Sequence, residues 1–108
     1  MPLYMHQWVY KDEQIKRMIT QPQDRDRENI VRIATKAFDG KLLNFYFTFG
    51  EFDGMSISEF KDNETALACL MSIIGQGRLQ SIKTTVLFEN ESAQEAMRKA
   101  HKIVKTKD

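Results

Sequence analysis

Leu42-Leu43-Asn44-Phe45-Tyr46-Phe47-Thr48-Phe49 is followed by Gly50-Glu51-Phe52-Asp53-Gly54 and then by Met55-Ser56-Ile57-Ser58-Glu59-Phe60. The first run is rich in aromatic side chains, which suit a pleated surface. The glycines bound a turn and the third run resumes as a strand, so the three together predict a hairpin. Upstream, Ile30, Ile33, Ala34 and Ala37 recur at helical spacing within a helix expected from about Asp24 to Phe38. Gly40 is expected to end that helix in the left-handed conformation. Pro22 separates it from an earlier helical stretch that Asp12 can cap and that carries Ile15, Met18 and Ile19. Leu3 to Tyr10 reads as the first strand. Downstream, Asp62 or Asn63 caps a helix whose apolar seam is Leu67, Leu70, Met71 and Ile74, and Gly75 and Gly77 stop it. Leu79 to Phe88 reads as the fourth strand. Ser92 and Glu95 have capping-box spacing for a last helix with Ala93, Ala96, Met97 and Ala100 along one side. The order is β-α-β-β-α-β plus a C-terminal helix. That is an α+β, ferredoxin-like plan: a four-stranded antiparallel sheet with helices on one face.

The chain has 108 residues, with 16 Lys and Arg against 15 Asp and Glu, enough for one domain spanning 1–108. A net charge of +1 offers no general attraction to nucleic acid. The basic tail of Arg98, Lys99, Lys102, Lys105 and Lys107 suits a helix C-terminus. No apolar run is long enough to cross a membrane, and the first residues lack the pattern of a secretion signal. With Cys69 as the single cysteine, no internal disulfide can form. These features predict a cytoplasmic protein that binds neither nucleic acid nor membrane.

Eleven residues are aromatic, and eight of them lie in strand one, strand two and the adjoining turn. Strands one and two are bulky on both sides, so the sheet face without helices should be covered. A second copy is the simplest cover, which predicts a homodimer or a higher homo-oligomer. Tyr4, His6, Trp8, Asn44 and Tyr46 mix apolar walls with polar heads, so a small-molecule cavity at that open face is expected to use them.

His6 is the candidate for acid–base chemistry, because a neutral imidazole among aromatics can accept a proton near pH 7. Two histidines on different elements and one cysteine supply no metal-ligand set. No phosphate loop or dinucleotide fingerprint is present, so no cofactor is expected. Cys69 sits among Ala66, Leu67, Leu70 and Ile73, where an inert buried thiol is expected. Glu51 and Asp53 flank Phe52 and could act as an acid–base pair. The simpler role for Asp53 is to bind backbone amides in the turn, with Gly50 and Gly54 supplying unusual dihedrals.

Several of these stretches together resemble the GYD domain family. They are Pro2-Leu3-Tyr4-Met5 with Gln7-Trp8, Gly40-Lys41-Leu42-Leu43, Phe45 through Gly54, Asp62-Asn63-Glu64, and Ser81-Ile82-Lys83-Thr84-Thr85. The resemblance runs over nearly the whole chain and implies a fold of the dimeric α+β barrel type. The family motif appears as Gly50-Glu51-Phe52-Asp53, with Phe52 where the family typically has tyrosine. Gly50 and Asp53 carry over as turn-forming positions, and Phe52 points to a structural ring there. Three functions fit this reading. The first is a small-molecule-binding oligomer. The second is a cofactor-free oxygenase or isomerase with His6, Trp8, Asn44 and Tyr46 lining its cavity. The third is a structural or regulatory assembly module without catalysis.

Overall fold

The computed structural model describes residues 1–21 and 26–107. The elements are β1 (Leu3–Tyr10), α1 (Asp12–Thr20), α2 (Arg27–Lys36), β2 (Lys41–Phe47), β3 (Gly54–Glu59), α3 (Asn63–Gly75), β4 (Leu79–Leu87) and α4 (Asn90–Lys107). The sheet order is β2-β3-β1-β4 and every neighbouring pair is antiparallel. This is the ferredoxin-like plan with an added C-terminal helix.

Local chemistry sets the helix starts. The Asp26 carboxylate accepts from the Asn29 N–H at 3.2 Å, and the Asp62 carboxylate accepts from the Thr65 N–H at 2.8 Å. Lys11 rather than Asp12 stands at the cap position of α1, and no side chain caps that helix. Helix α4 begins at Asn90, so Ser92 lies inside it rather than at its cap. Pro22 and Asp24, expected at the break and at the start of the second helix, lie outside the described residues.

The helices turn differently from the sequence expectation. Helix α2 buries Thr35 and half-buries Ile30, Val31 and Ala34, whereas Ile33 and Ala37 face out. On α3 the buried residues are Ala66 and Cys69, while Leu67, Met71 and Ile74 of the expected seam are exposed. Both helices carry apolar residues on more than one side, so spacing alone could not select the inward face. The residue in the left-handed region after α2 is Asp39, with φ 58°. Gly40 is needed for space instead, since a Cβ there would stand 2.5 Å from the Phe60 ring.

The core joins Tyr4, Phe60, Ala66 and Cys69, with Phe38 and Ile73 packed against them. Tyr4 and Phe60 meet edge to face at 5.7 Å, and the Tyr4 hydroxyl donates to Asn63 Oδ1 at 2.6 Å. A compact chain of this length has a radius of gyration of about 13 Å; here it is 17.5 Å, with extents of 63 × 29 × 21 Å. Helix α4 accounts for the excess, because of its described residues only Ala93 is even half-buried.

Candidate functional site

Strand register decides what each face presents. Tyr4 pairs with Ser58, His6 with Ser56 and Trp8 with Gly54. Directly paired residues share a face, so Tyr4, His6, Trp8 and Tyr10 lie with Ser56 and Ser58 under the helices. Strand β2 has a register shift between Leu42 and Asn44. Beyond it, Phe45 pairs with Ser56 and Phe47 with Gly54, which puts both rings on the helix side. Asn44 and Tyr46 therefore point to the opposite, open face and are exposed. The five residues expected to line one cavity are divided: Tyr4, His6 and Trp8 are brought together, and Asn44 and Tyr46 are not.

The aromatic surplus has the same explanation. Trp8 stacks with Phe45 at 5.7 Å, Phe45 meets Phe47 at 5.6 Å, and Trp8 meets Tyr10 at 6.4 Å. Trp8 and Tyr10 are the buried part of this cluster, Phe45 is half-buried and Phe47, 59% exposed, forms its outer edge. The open face is mixed: Leu3, Met5, Val9, Met55, Ile57 and Leu87 share it with Gln7, Glu59, Lys83, Thr85, Asn44 and Tyr46.

A cavity of about 90 Å³ lies between the sheet and helices α2 and α3. It opens on the helix side of the sheet, not on the open face. Its sheet wall includes His6, Trp8, Tyr10, Ser56, Ser58 and Phe60, and its helix wall includes Ile30, Val31, Ala34, Leu70 and Ile73. The void follows from the sequence of central strand β3, where two serines occupy positions that would otherwise hold large apolar side chains. Both serines are 2% exposed, and the Ser58 hydroxyl has no hydrogen-bond partner among the described residues. Such a group carries a desolvation cost until something bonds to it. Arg27, Gln76 and Arg78 also line the cavity. With its amide oxygen turned to Arg27, Gln14 accepts from that guanidinium at 3.0 and 3.2 Å.

His6 lines this cavity, with Nδ1 placed 2.8 Å from Thr84 Oγ1. Burial holds its pKa below the ordinary 6.5, so the ring is neutral at pH 7. Burial pushes the Tyr10 phenol up, an effect opposed by its hydrogen bond with Trp8 and by the nearby Arg27 charge. Cys69 is 3% exposed, and desolvation raises its thiol to about 11, so it stays protonated at neutral pH.

The motif Gly50-Glu51-Phe52-Asp53-Gly54 is a clasp between the hairpin and β1. The Asp53 N–H donates to the Trp8 carbonyl at 2.8 Å, and Asp53 Oδ2 accepts from the Tyr10 N–H at 2.9 Å. The Asp53 carbonyl accepts from the Thr48 N–H at 2.9 Å, and the Thr48 hydroxyl donates to the Phe52 carbonyl at 2.6 Å. Asp53 thus bonds backbone amides, as its place in the turn suggests. Gly50 has a φ of 153°. Gly54 has no positive φ; it is required because a Cβ would stand 2.5 Å from the Trp8 indole. The clasp touches the cavity only through Trp8 and Tyr10.

Arg27, Ser58, Gln76 and Arg78 were not legible as site residues. The alternation of β3 put Ser56 and Ser58 on one face, but which face lies under the helices depends on the packing. Among the described residues no group of three or more His, Cys, Asp or Glu could hold a metal, and no helix is long and apolar enough to cross a membrane.

Solved structures share the fold. MtbAldR is 13% identical with a TM-score of 0.55, covering 82% of this chain and 52% of its own, so the chain spans about half the length of that protein. Hypothetical protein PHS023 from Pyrococcus horikoshii is 14% identical with a TM-score of 0.54, covering 83% of this chain and 93% of its own. TTHA0845 from Thermus thermophilus is 14% identical with a TM-score of 0.51, covering 82% of this chain and 95% of its own. Comparison with curated protein sequences finds no relative. A family model, the GYD domain, matches residues 4–97.

Proposed function

The chain belongs to the GYD domain family, and we propose that it is a homo-oligomeric binding protein for a small anionic molecule. The ligand is held between the sheet and helices α2 and α3. One observation carries this reading: an apolar cavity contains the unpaired, buried Ser58 hydroxyl and is lined by Arg27 and Arg78. A carboxylate with a short apolar body suits such a site. Its charge faces the arginines, an oxygen accepts from Ser58, and its body lies against Ile30, Val31 and Ile73.

The oligomer pairs open sheet faces. Leu3, Met5, Val9, Met55, Ile57 and Leu87 give that face apolar area beside Gln7, Lys83 and Glu59, and a two-fold axis would lay it on its own copy. Light scattering at micromolar concentration is expected to give twice the subunit mass or a higher multiple, and a subunit mass would overturn the pairing.

The binding test is thermal denaturation against a panel of short aliphatic and aromatic carboxylates with their neutral amides as controls. A ligand at 100 times its dissociation constant stabilises by about 2.7 kcal/mol. Carboxylates are expected to raise the midpoint, the amides to do so less, and Arg78→Gln to erase the difference. A panel in which no carboxylate shifts the midpoint would overturn the reading.

A further inference from the structure

Helices α3 and α4 each present an apolar stripe that none of the described residues covers. On α3 it is Leu67, Met71 and Ile74, which are 53%, 61% and 52% exposed. On α4 it is Ala93, Met97, Ala100 and Val104, of which Met97 and Val104 are each 61% exposed. Both stripes step by four and then three residues, the spacing of a seam between two helices.

Charge selects the direction in which the stripes meet. Glu64 continues the α3 stripe at its N-terminal end. Glu91 and Glu95 lie in the first half of α4, and Lys99 and Lys105 in the second. With Met71 set against Met97 and Ala100, parallel helices put Glu64 level with Glu91. Antiparallel helices put Glu64 level with Lys105 and also oppose the two helix dipoles favourably.

Topology then selects the occupant. Leu3 pairs with both Glu59 and Leu87, so β3 and β4 end at the same edge of the sheet. Helix α3 starts from that edge and runs back to the start of β4. Helix α4 begins at the same edge, only two residues after β4. Folded back on its own α3, α4 would lie parallel to it, with Glu91 beside Glu64. The antiparallel match is reached only on another molecule.

We propose that α4 is an exchanged arm, which docks antiparallel on the outward stripe of α3 in a second copy of this chain. The arm covers α3 from outside the sheet and is separate from the pairing of open faces. In an exchange between two chains each contributes one arm, so both stripes of both copies are covered.

The test uses full-length chains in a Cys69→Ala background. One tagged chain carries Met71→Cys and a second, of different size, carries Ala100→Cys. Oxidation of the mixed and refolded pair is expected to give the mixed disulfide. A single chain carrying both changes that links only to itself would overturn the proposal, as would a link between Glu64→Cys and Glu91→Cys. Sedimentation gives a second readout. Lys105→Glu is expected to weaken association roughly twofold to fivefold per contact, the range of an exposed ion pair. Glu64→Lys combined with Lys105→Glu is expected to restore it. If wild-type chains associate but the Met71→Cys and Ala100→Cys chains give no mixed disulfide, the arm is overturned and the sheet pairing is left intact. A mixed disulfide that still forms when both chains also carry Ile57→Lys would support the arm as an association separate from the sheet pairing, and its loss there would overturn that separateness.

Discussion

Replacing Gly54 by alanine probes the packing that shapes the cavity wall. An added Cβ would lie 2.5, 2.6 and 2.9 Å from Cζ2, Cε2 and Nε1 of Trp8. Carbon atoms are most stable about 3.5–4.0 Å apart, so the two groups must separate by roughly 1 Å. The indole has little room to yield. It is 5% exposed and held between Phe45 and Tyr10. The backbone of β3 is pinned on both sides, by β1 and β2. Overpacking of this kind costs about 1–3 kcal/mol. Each kcal/mol lowers the melting midpoint by roughly 4–8 °C at this chain length. The assay is urea denaturation at fixed protein concentration for wild type, Gly54→Ala, Trp8→Phe and the double variant. Phenylalanine removes the outer part of the indole, so the double variant should be more stable than the sum of the single losses predicts, by at least about 0.5 kcal/mol. A loss under about 0.5 kcal/mol for Gly54→Ala, or strict additivity with Trp8→Phe, would refute the steric account.

Three further outcomes follow from the site. Ser58→Ala should leave the unliganded protein at least as stable, since it removes an unpaired buried hydroxyl, while reducing the midpoint shift produced by a carboxylate; denaturation with and without ligand checks both. His6 has a folded pKa below its ordinary 6.5, so the unfolded chain binds more protons in the window just below that value. Stability should therefore fall as the pH drops below about 6.5, and His6→Gln should flatten that part of the urea-midpoint profile. With its thiol raised to about 11, Cys69 should react with a disulfide reagent at pH 8 roughly two orders of magnitude more slowly in the folded protein than in urea.

The element order and sheet type were legible because strand alternation, turn glycines and Asp62 all indicate the same hairpin and crossovers. Helix rotation was not legible on α3, where Leu67, Met71 and Ile74 are as apolar as Leu70 and Ile73. Only tertiary packing distinguishes the inward side. The division of Asn44 and Tyr46 from Tyr4, His6 and Trp8 had a different cause. One extra residue in β2, near Leu43, exchanges the faces of everything after it, and no turn residue or proline marks that position. His6 and Trp8 could be chosen from type and strand position alone. Arg27 and Arg78 reach the cavity from the start of α2 and the loop before β4, and no local pattern joins residues so far apart.

The Asp53 clasp also bears on the order of assembly. The hairpin tip receives the hydrogen bond of its own Thr48, but its other partners are the Trp8 carbonyl and the Tyr10 amide, the latter 43 positions away. An early β2–β3 ribbon would therefore have an unfinished tip until the N-terminal strand arrives. Closing that long loop is the slower kind of event, because chain entropy is lost before the contacts form. The Tyr10 amide then serves as a clock. Its protection from solvent exchange marks the moment when β1 has taken its central place and the tip stops fluctuating.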